Sequence, residues 1–252
     1  MGGLMKRSHR LTCVALLALL PALAKAADPL DPRALAALSN MGSYLHRLQA
    51  FSLSTRSETD QQLDSGPTVT FAHHTQVLAR QPDKLFVSVD QGSAARQFFY
   101  DGKQFTLYDG RHGYYSKGAA PATIEQLLGQ LSERYAITLP LADLFRWNAQ
   151  TAKQVGITQA TLIGSESLDG QACTHYVFRQ PDIDWQLWLR EGAQPLPCKL
   201  MITRRDDPER PRHSVTFDWD LSTPINPAAF DFTPPAKAVA VPLREPNEGR
   251  QP

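Results

Sequence analysis

Apolar residues fall at two different spacings along this chain, and the spacings alternate. Leu35, Leu38, Met41, Leu45 and Leu48 recur every three or four positions, which predicts one amphipathic helix. Asp31 as an N-cap and Pro32 in the first turn supply its start signal. From Phe51 the period falls to two. The segments FSLSTRSETD, TVTFAHHTQVLAR, KLFVSVD, RQFFYDGKQFTLYDG and HGYYSK alternate or cluster strand formers, with turn signals at Asp101-Gly102 and Asp109-Gly110. They predict an antiparallel meander.

The helical spacing then returns. After Pro121, Ile124, Leu127, Leu128, Leu131 and Tyr135 trace a second stripe, and LPLADLFRWN places Leu141, Leu144 and Phe145 on one side of a shorter piece. From Gln159 the strands resume as ATLIGSESL, QACTHYVFRQ, DWQLWLR, PCKLMITRR and HSVTFDWDL, with turns at Asp169-Gly170 and Glu191-Gly192. The expected fold class is mainly β with helices, α+β. A sheet of about 10–11 strands twists and curls rather than staying flat, so a barrel or half-barrel follows, its helices plugging or covering the opening.

Period two also assigns faces. Trp185, Leu187 and Leu189 share one side, while Asp184, Gln186, Trp188 and Arg190 share the other. Tyr176 with Phe178, Leu200 with Ile202, and Val215, Phe217 and Trp219 form matching apolar sets. On curling, that face becomes the interior, either a core filled by its own helices or a cavity that holds a ligand. The candidate ligand-binding residues are Leu85, Val87, Trp185, Leu187, Phe217 and Trp219, with Leu127, Leu131, Leu144 and Phe145 as the lid face. The competing assignment for each is plain core.

The chain ends modify this picture. Lys6, Arg7 and Arg10 precede an apolar run from Leu11 to Leu20 and the small-residue exit PALAKAADP, the pattern of a signal peptide over residues 1–26 cleaved before Ala27. The run is shorter than the roughly 20 residues of a membrane span, so a soluble exported protein with no span in the mature chain is expected. Residues 27–235 read as a single domain, and the Pro-rich stretch 236–252 reads as a disordered tail.

Charge and chemistry exclude more than they assign. Residues 1–26 hold Lys6, Arg7, Arg10 and Lys25 and no acid, leaving 22 basic against 25 acidic residues, a balance that excludes nucleic acid held by electrostatics. No nucleotide loop or nucleophile elbow occurs, and His46, His73, His74, His112, His175 and His213 have no metal-site spacing. His73 and His74 point to opposite faces of a strand, and His175 and His213 are candidates to approach across neighbouring strands. No enzyme, cofactor or metal is expected, and a half-barrel with a covered mouth is expected to be monomeric. Cys173 and Cys198, with one strand between them, are expected about 9.6 Å apart, beyond the ~6.8 Å limit of a disulfide, and so to be free thiols.

Several stretches carry a resemblance. DGKQFTLYDGRHGYY and the terminal AFDFTPP resemble the periplasmic lipoprotein carrier family of LolA. ERYAITLPLADLF and FRQPDIDWQLWLREGAQPLPCKL, within roughly Leu35 to Pro235, are similar to a family of predicted periplasmic proteins named domain of unknown function 2092. The resemblance implies an unclosed antiparallel half-barrel with a helical lid over a hydrophobic cavity. It implies a periplasmic binder or carrier of a hydrophobic ligand or lipidated protein, or a module that reads an envelope protein partner. In the carrier an arginine before the proline of the strand helps control the lid; Gln81 stands at that place, with Arg80 one position earlier.

Overall fold

The computed structural model describes residues 29–246 apart from 91, 93 and 148–155, so the expected signal peptide lies outside the described residues. Helix α1, Pro32–Arg47, is capped by the Asp31 carboxylate, which accepts from the Arg33 amide at 2.9 Å. It buries Ala34, Leu38, Met41 and Leu45. Six strands follow: β1 (Ala50–Gln62), β2 (Thr68–Arg80), β3 (Lys84–Asp90), β4 (Ala95–Tyr100), β5 (Gln104–Asp109) and β6 (Tyr114–Ala119).

Helices α2 (Ile124–Tyr135) and α3 (Asp143–Arg146) cross to the second half, β7 (Gln159–Leu168), β8 (Gln171–Arg179), β9 (Ile183–Arg190), β10 (Pro197–Arg204) and β11 (Arg212–Asp220). Thr123 caps α2 by accepting from the Gln126 amide, and Ala136 ends it at a positive φ of 53°. The Tyr100 hydroxyl donates to the Pro121 carbonyl at 2.6 Å, tying β4 to the approach to α2. Burial pushes that phenol up to about 12.

Together with β12 (Val239–Ala240), the strands form one open sheet in the order β12-β6-β5-β4-β3-β2-β1-β11-β10-β9-β8-β7. The two halves join where β1 pairs with β11, so the first and last long strands of the domain lie side by side. The edges stay apart, which makes this an unclosed antiparallel half-barrel. The helices cover its inner face, and a continuous apolar cluster runs from α1 through β1–β5 and α2 to β9–β11.

The twelfth strand corrects the sequence reading of 236–252 as disordered. Val239–Ala240 forms β12, parallel to β6, with the Val239 and Val241 amides donating to the Gly113 and Tyr115 carbonyls at 2.8 Å each. Val241 also accepts from the Ser116 hydroxyl, and Glu245 pairs with Arg134 of α2. An edge strand offers unpaired backbone groups, and a short apolar stretch satisfies them despite its prolines. Residues 247–252 lie outside the described residues.

Just before this tail, the AFDFTPP ending packs on the outer face. Phe230 is fully buried beneath the Arg80 guanidinium, 5.8 Å from its ring, and Phe232 sits 5.2–5.4 Å from Phe99, Tyr108 and Tyr115. Arg80 thus serves as a packing residue outside the sheet, not on the lid side. On the inner face, Phe105 leans over Gly118, its partner on β6; a Cβ there would stand 2.5 Å from the ring, so that position requires glycine.

The two cysteines are joined, correcting the expectation of free thiols. Cys173 of β8 and Cys198 of β10 form a disulfide with Cα atoms 6.7 Å apart. The ladder between β9 and β10 shifts register between Pro197 and Lys199, leaving Cys198 as the extra residue of a bulge. The bulge bends β10 at its start, turns Cys198 to the outer face where Cys173 points, and shortens the span that regular strand spacing would impose.

Candidate functional site

The inner face of β9–β11 carries its side chains in register. One row runs Trp185, Ile202, His213, Thr59; the next runs Leu187, Leu200, Val215, Ser57, His73. Each step places neighbours about 4.8 Å apart, so the rows form a continuous wall. Opposite it stand Met41 and Leu45 of α1 and Leu141, Leu144 and Trp147 in and around α3. Wall and lid meet where Trp147 touches Trp185 and stand apart elsewhere. Between them lies a groove of about 450 Å³, within the range of small-molecule sites.

Of the residues singled out from sequence, Trp185, Leu187 and Phe217 line this groove, and Leu144 faces them from the lid. Trp219 is buried behind it and donates through Nε1 to the Pro197 carbonyl at 2.9 Å. Phe145 stacks on Phe51 at 5.8 Å. Leu127 and Leu131 are fully buried in the apolar cluster beneath α2, together with Leu85. Val87 lines a second groove of about 450 Å³ between β3–β6 and the 137–140 loop, whose rim the tail completes through Val241. The proposed set therefore divides: Leu85, Leu127 and Leu131 pack the core beneath α2, Val87 lines the groove beside β3–β6, and Trp185, Leu187, Phe217 and Leu144 border the groove beside β9–β11.

Trp185 is 7% exposed. It stacks on Phe178 at 4.2 Å and meets Trp147 edge-on at 6.2 Å. Its partner across the groove, Trp147, was not singled out from sequence, because LPLADLFRWN places it outside the helical stripe. His213 was also missed as a wall residue, although period two puts it on the Val215 face.

The His213 ring exchanges a hydrogen bond with Thr59 through Nδ1 at 2.8 Å. Burial, with His73 nearby, pushes its pKa below the ordinary imidazole value, so it is neutral in the groove. His175 does not approach His213. It lies on the outer face between Glu166, 2.9 Å, and Gln186, 3.1 Å, stacked on Trp188, and β8 and β11 are separated by two strands. Among the described residues no group of three or more His, Cys, Asp or Glu side chains is placed to hold a metal ion.

At the rim, the β8–β9 turn is held by charge. Arg179 grips Asp184 with two hydrogen bonds of 2.6 and 3.0 Å, and Arg210 reaches the same carboxylate at 3.3 Å. The Arg179 hydrogen bond, joined by the fields of Arg205 and Arg210, holds the Asp184 carboxyl below the usual carboxylate range.

A family model described as predicted periplasmic protein, DUF2092, matches residues 34–244. No curated protein matches the chain. Similar solved structures include LprF from Mycobacterium bovis, 13% identical, with 83% of this chain and 99% of that one covered at a TM-score of 0.46. A LolA superfamily protein, NE2245 from Nitrosomonas europaea, is 12% identical over 79% of this chain and 97% of its own, TM-score 0.38. The MucA/MucB complex of Pseudomonas aeruginosa is 12% identical over 78% of this chain and 60% of the other, TM-score 0.41.

Proposed function

This chain belongs to the DUF2092 family of predicted periplasmic proteins, and from that premise we propose that it binds or carries a hydrophobic ligand in the periplasm, held in the half-barrel. The ligand class is a lipid, an acyl chain or the acyl part of a lipidated protein. One observation carries the reading: the groove between the β9–β11 wall and the α1–α3 lid is open and lined almost wholly by apolar side chains, Trp185, Leu187 and Phe217 among them. An apolar groove is costly to fill with water, and a buried acyl chain offsets that cost at about 0.8 kcal/mol per CH₂. No catalytic step is part of the proposal.

A second reading, an interaction module for an envelope protein, has an observation of its own. The interior beneath α2 is filled by Leu85, Leu127 and Leu131, as such a module requires. Native mass spectrometry of the mature protein from a periplasmic extract, followed by extraction of bound material, separates the two. A stoichiometric lipid-like adduct is expected. A clean apo mass, with added acyl probes failing to bind, overturns the carrier reading in favour of the protein partner.

A further inference from the structure

The groove between β3–β6 and the 137–140 loop shares no lining residue with the one beside β9–β11, and it differs from it in charge. Strand register builds its inner face in rows. Leu85, Tyr100 and Phe105 form a row that is sealed in the core. The next row, Val87, Phe98, Leu107 and Ser116, makes an apolar floor, and Val89, Arg96, Asp109 and Tyr114 form the row after it. Period two keeps all three rows on one face. Exposure rises along them, from 2% at Phe98 to 64% for the Arg96 side chain, so the face passes from packed core to a charged rim that solvent reaches. Ile137, Leu139 and Val241 close the opposite side.

Among the described residues Arg96 is the only lysine or arginine lining this groove. Its Nε stands 3.8 Å from Asp109 Oδ2, beyond hydrogen-bond distance. Asp109 is engaged elsewhere. It accepts from the Arg111 and His112 amides at 2.9 and 3.2 Å and shares a 3.0 Å hydrogen bond with His112 Nδ1, which fixes the β5–β6 turn. That ring contact, with the two amides, holds its carboxyl below the usual carboxylate range. The guanidinium of Arg96, with five N–H donors, therefore makes no hydrogen bond among the described residues. Beside β9–β11 the arrangement is reversed: Asp143 lines that groove, and no lysine or arginine does.

An open guanidinium at the edge of an apolar floor matches an anionic oxygen pair at the end of a hydrocarbon chain. The neighbouring Asp109 favours a single negative charge over a dianionic phosphate, because repulsion grows with the ligand's charge. We propose that this groove is a second binding site, for a fatty acid anion whose carboxylate pairs with Arg96 and whose chain lies on Val87, Phe98 and Leu107 beneath Leu139 and Val241. The site is separate from the groove beside β9–β11. Solvent screens an ion pair at the rim, so the carboxylate adds a modest preference on top of apolar burial.

Amide chemical-shift titration of the delipidated mature protein tests this with two probes of matched chain length: laurate, at a pH where it is ionised, and neutral monolauroylglycerol, both below their micelle concentrations. Laurate is expected to move the amides of β3–β6 and the 137–140 loop, binding there about fivefold more tightly than monolauroylglycerol. High salt should shrink that ratio. Arg96→Gln should abolish it while leaving monolauroylglycerol unchanged. Laurate shifts confined to β9–β11 overturn the inference, and so do equal affinities of the two probes at β3–β6 or a ratio that survives in the variant. Each of these leaves the carrier reading standing, which fails only if both probes are silent beside β9–β11. The comparison of probes in the unmodified chain needs no variant to fold.

Discussion

At the residue scale, burial of a few polar atoms among apolar neighbours gives the groove its chemistry. His213 is the clearest case. Its folded pKa lies below the ordinary 6.5 because burial disfavours the imidazolium, with His73 adding to the effect. The unfolded chain therefore binds the proton more readily, so the contribution of neutral His213 to stability is present above pH 6.5 and is lost as the pH falls through the lower folded value. Urea midpoints measured across this window should decline with falling pH, and His213→Asn, which cannot take up the proton, should flatten that decline. An unchanged slope would show that His213 is not the titrating group. The sequence marked His213 as one of six histidines outside the expected signal peptide and as a candidate to approach His175; its neutral state depends on neighbours from β1 and β2 that no local pattern reveals.

At the element scale, periodicity carried most of the information and irregularity carried the rest. The α1 and α2 stripes were legible because a helix buries residues three and four apart, and the stripe positions are buried except Leu35 and Tyr135, which are half-buried. The faces of β9 were legible for the same reason at period two: Trp185, Leu187 and Leu189 are inside, and Trp188 is outside against the disulfide. The bulge in β10 was not legible. It breaks the rule that neighbouring residues alternate, and so it decides where Cys198 points. Thiol titration of the unfolded, unreduced mature protein should find no free thiols. Replacing both cysteines by serine should cost about 3.5 kcal/mol in a denaturant titration done without reductant, because the bridge closes a loop of 25 residues.

At the scale of the whole molecule, the open sheet leaves two edges to manage, and the C-terminal segment manages one of them. Truncation after Pro235 should leave the half-barrel folded while removing β12 and the Arg134–Glu245 pair. Amide exchange should then accelerate in β6 and leave β9–β11 unchanged; unaltered exchange in β6 would mean that the tail does not protect that edge.

The alternation of helical and strand periods, read alone, determined the element order, the mainly β class and the apolar face, because each follows from which side of a local repeat avoids water. The family resemblance added the unclosed form. Only the tertiary structure decided that the interior beneath α2 is filled while a groove stays open beside β9–β11, that Cys173 reaches Cys198, and that one tryptophan of four keeps an unpartnered N–H. These outcomes depend on how far a lid stands from a wall and on where a strand departs from regularity. Such distances are set by packing between segments far apart in the chain, and a pattern of local periods does not contain them.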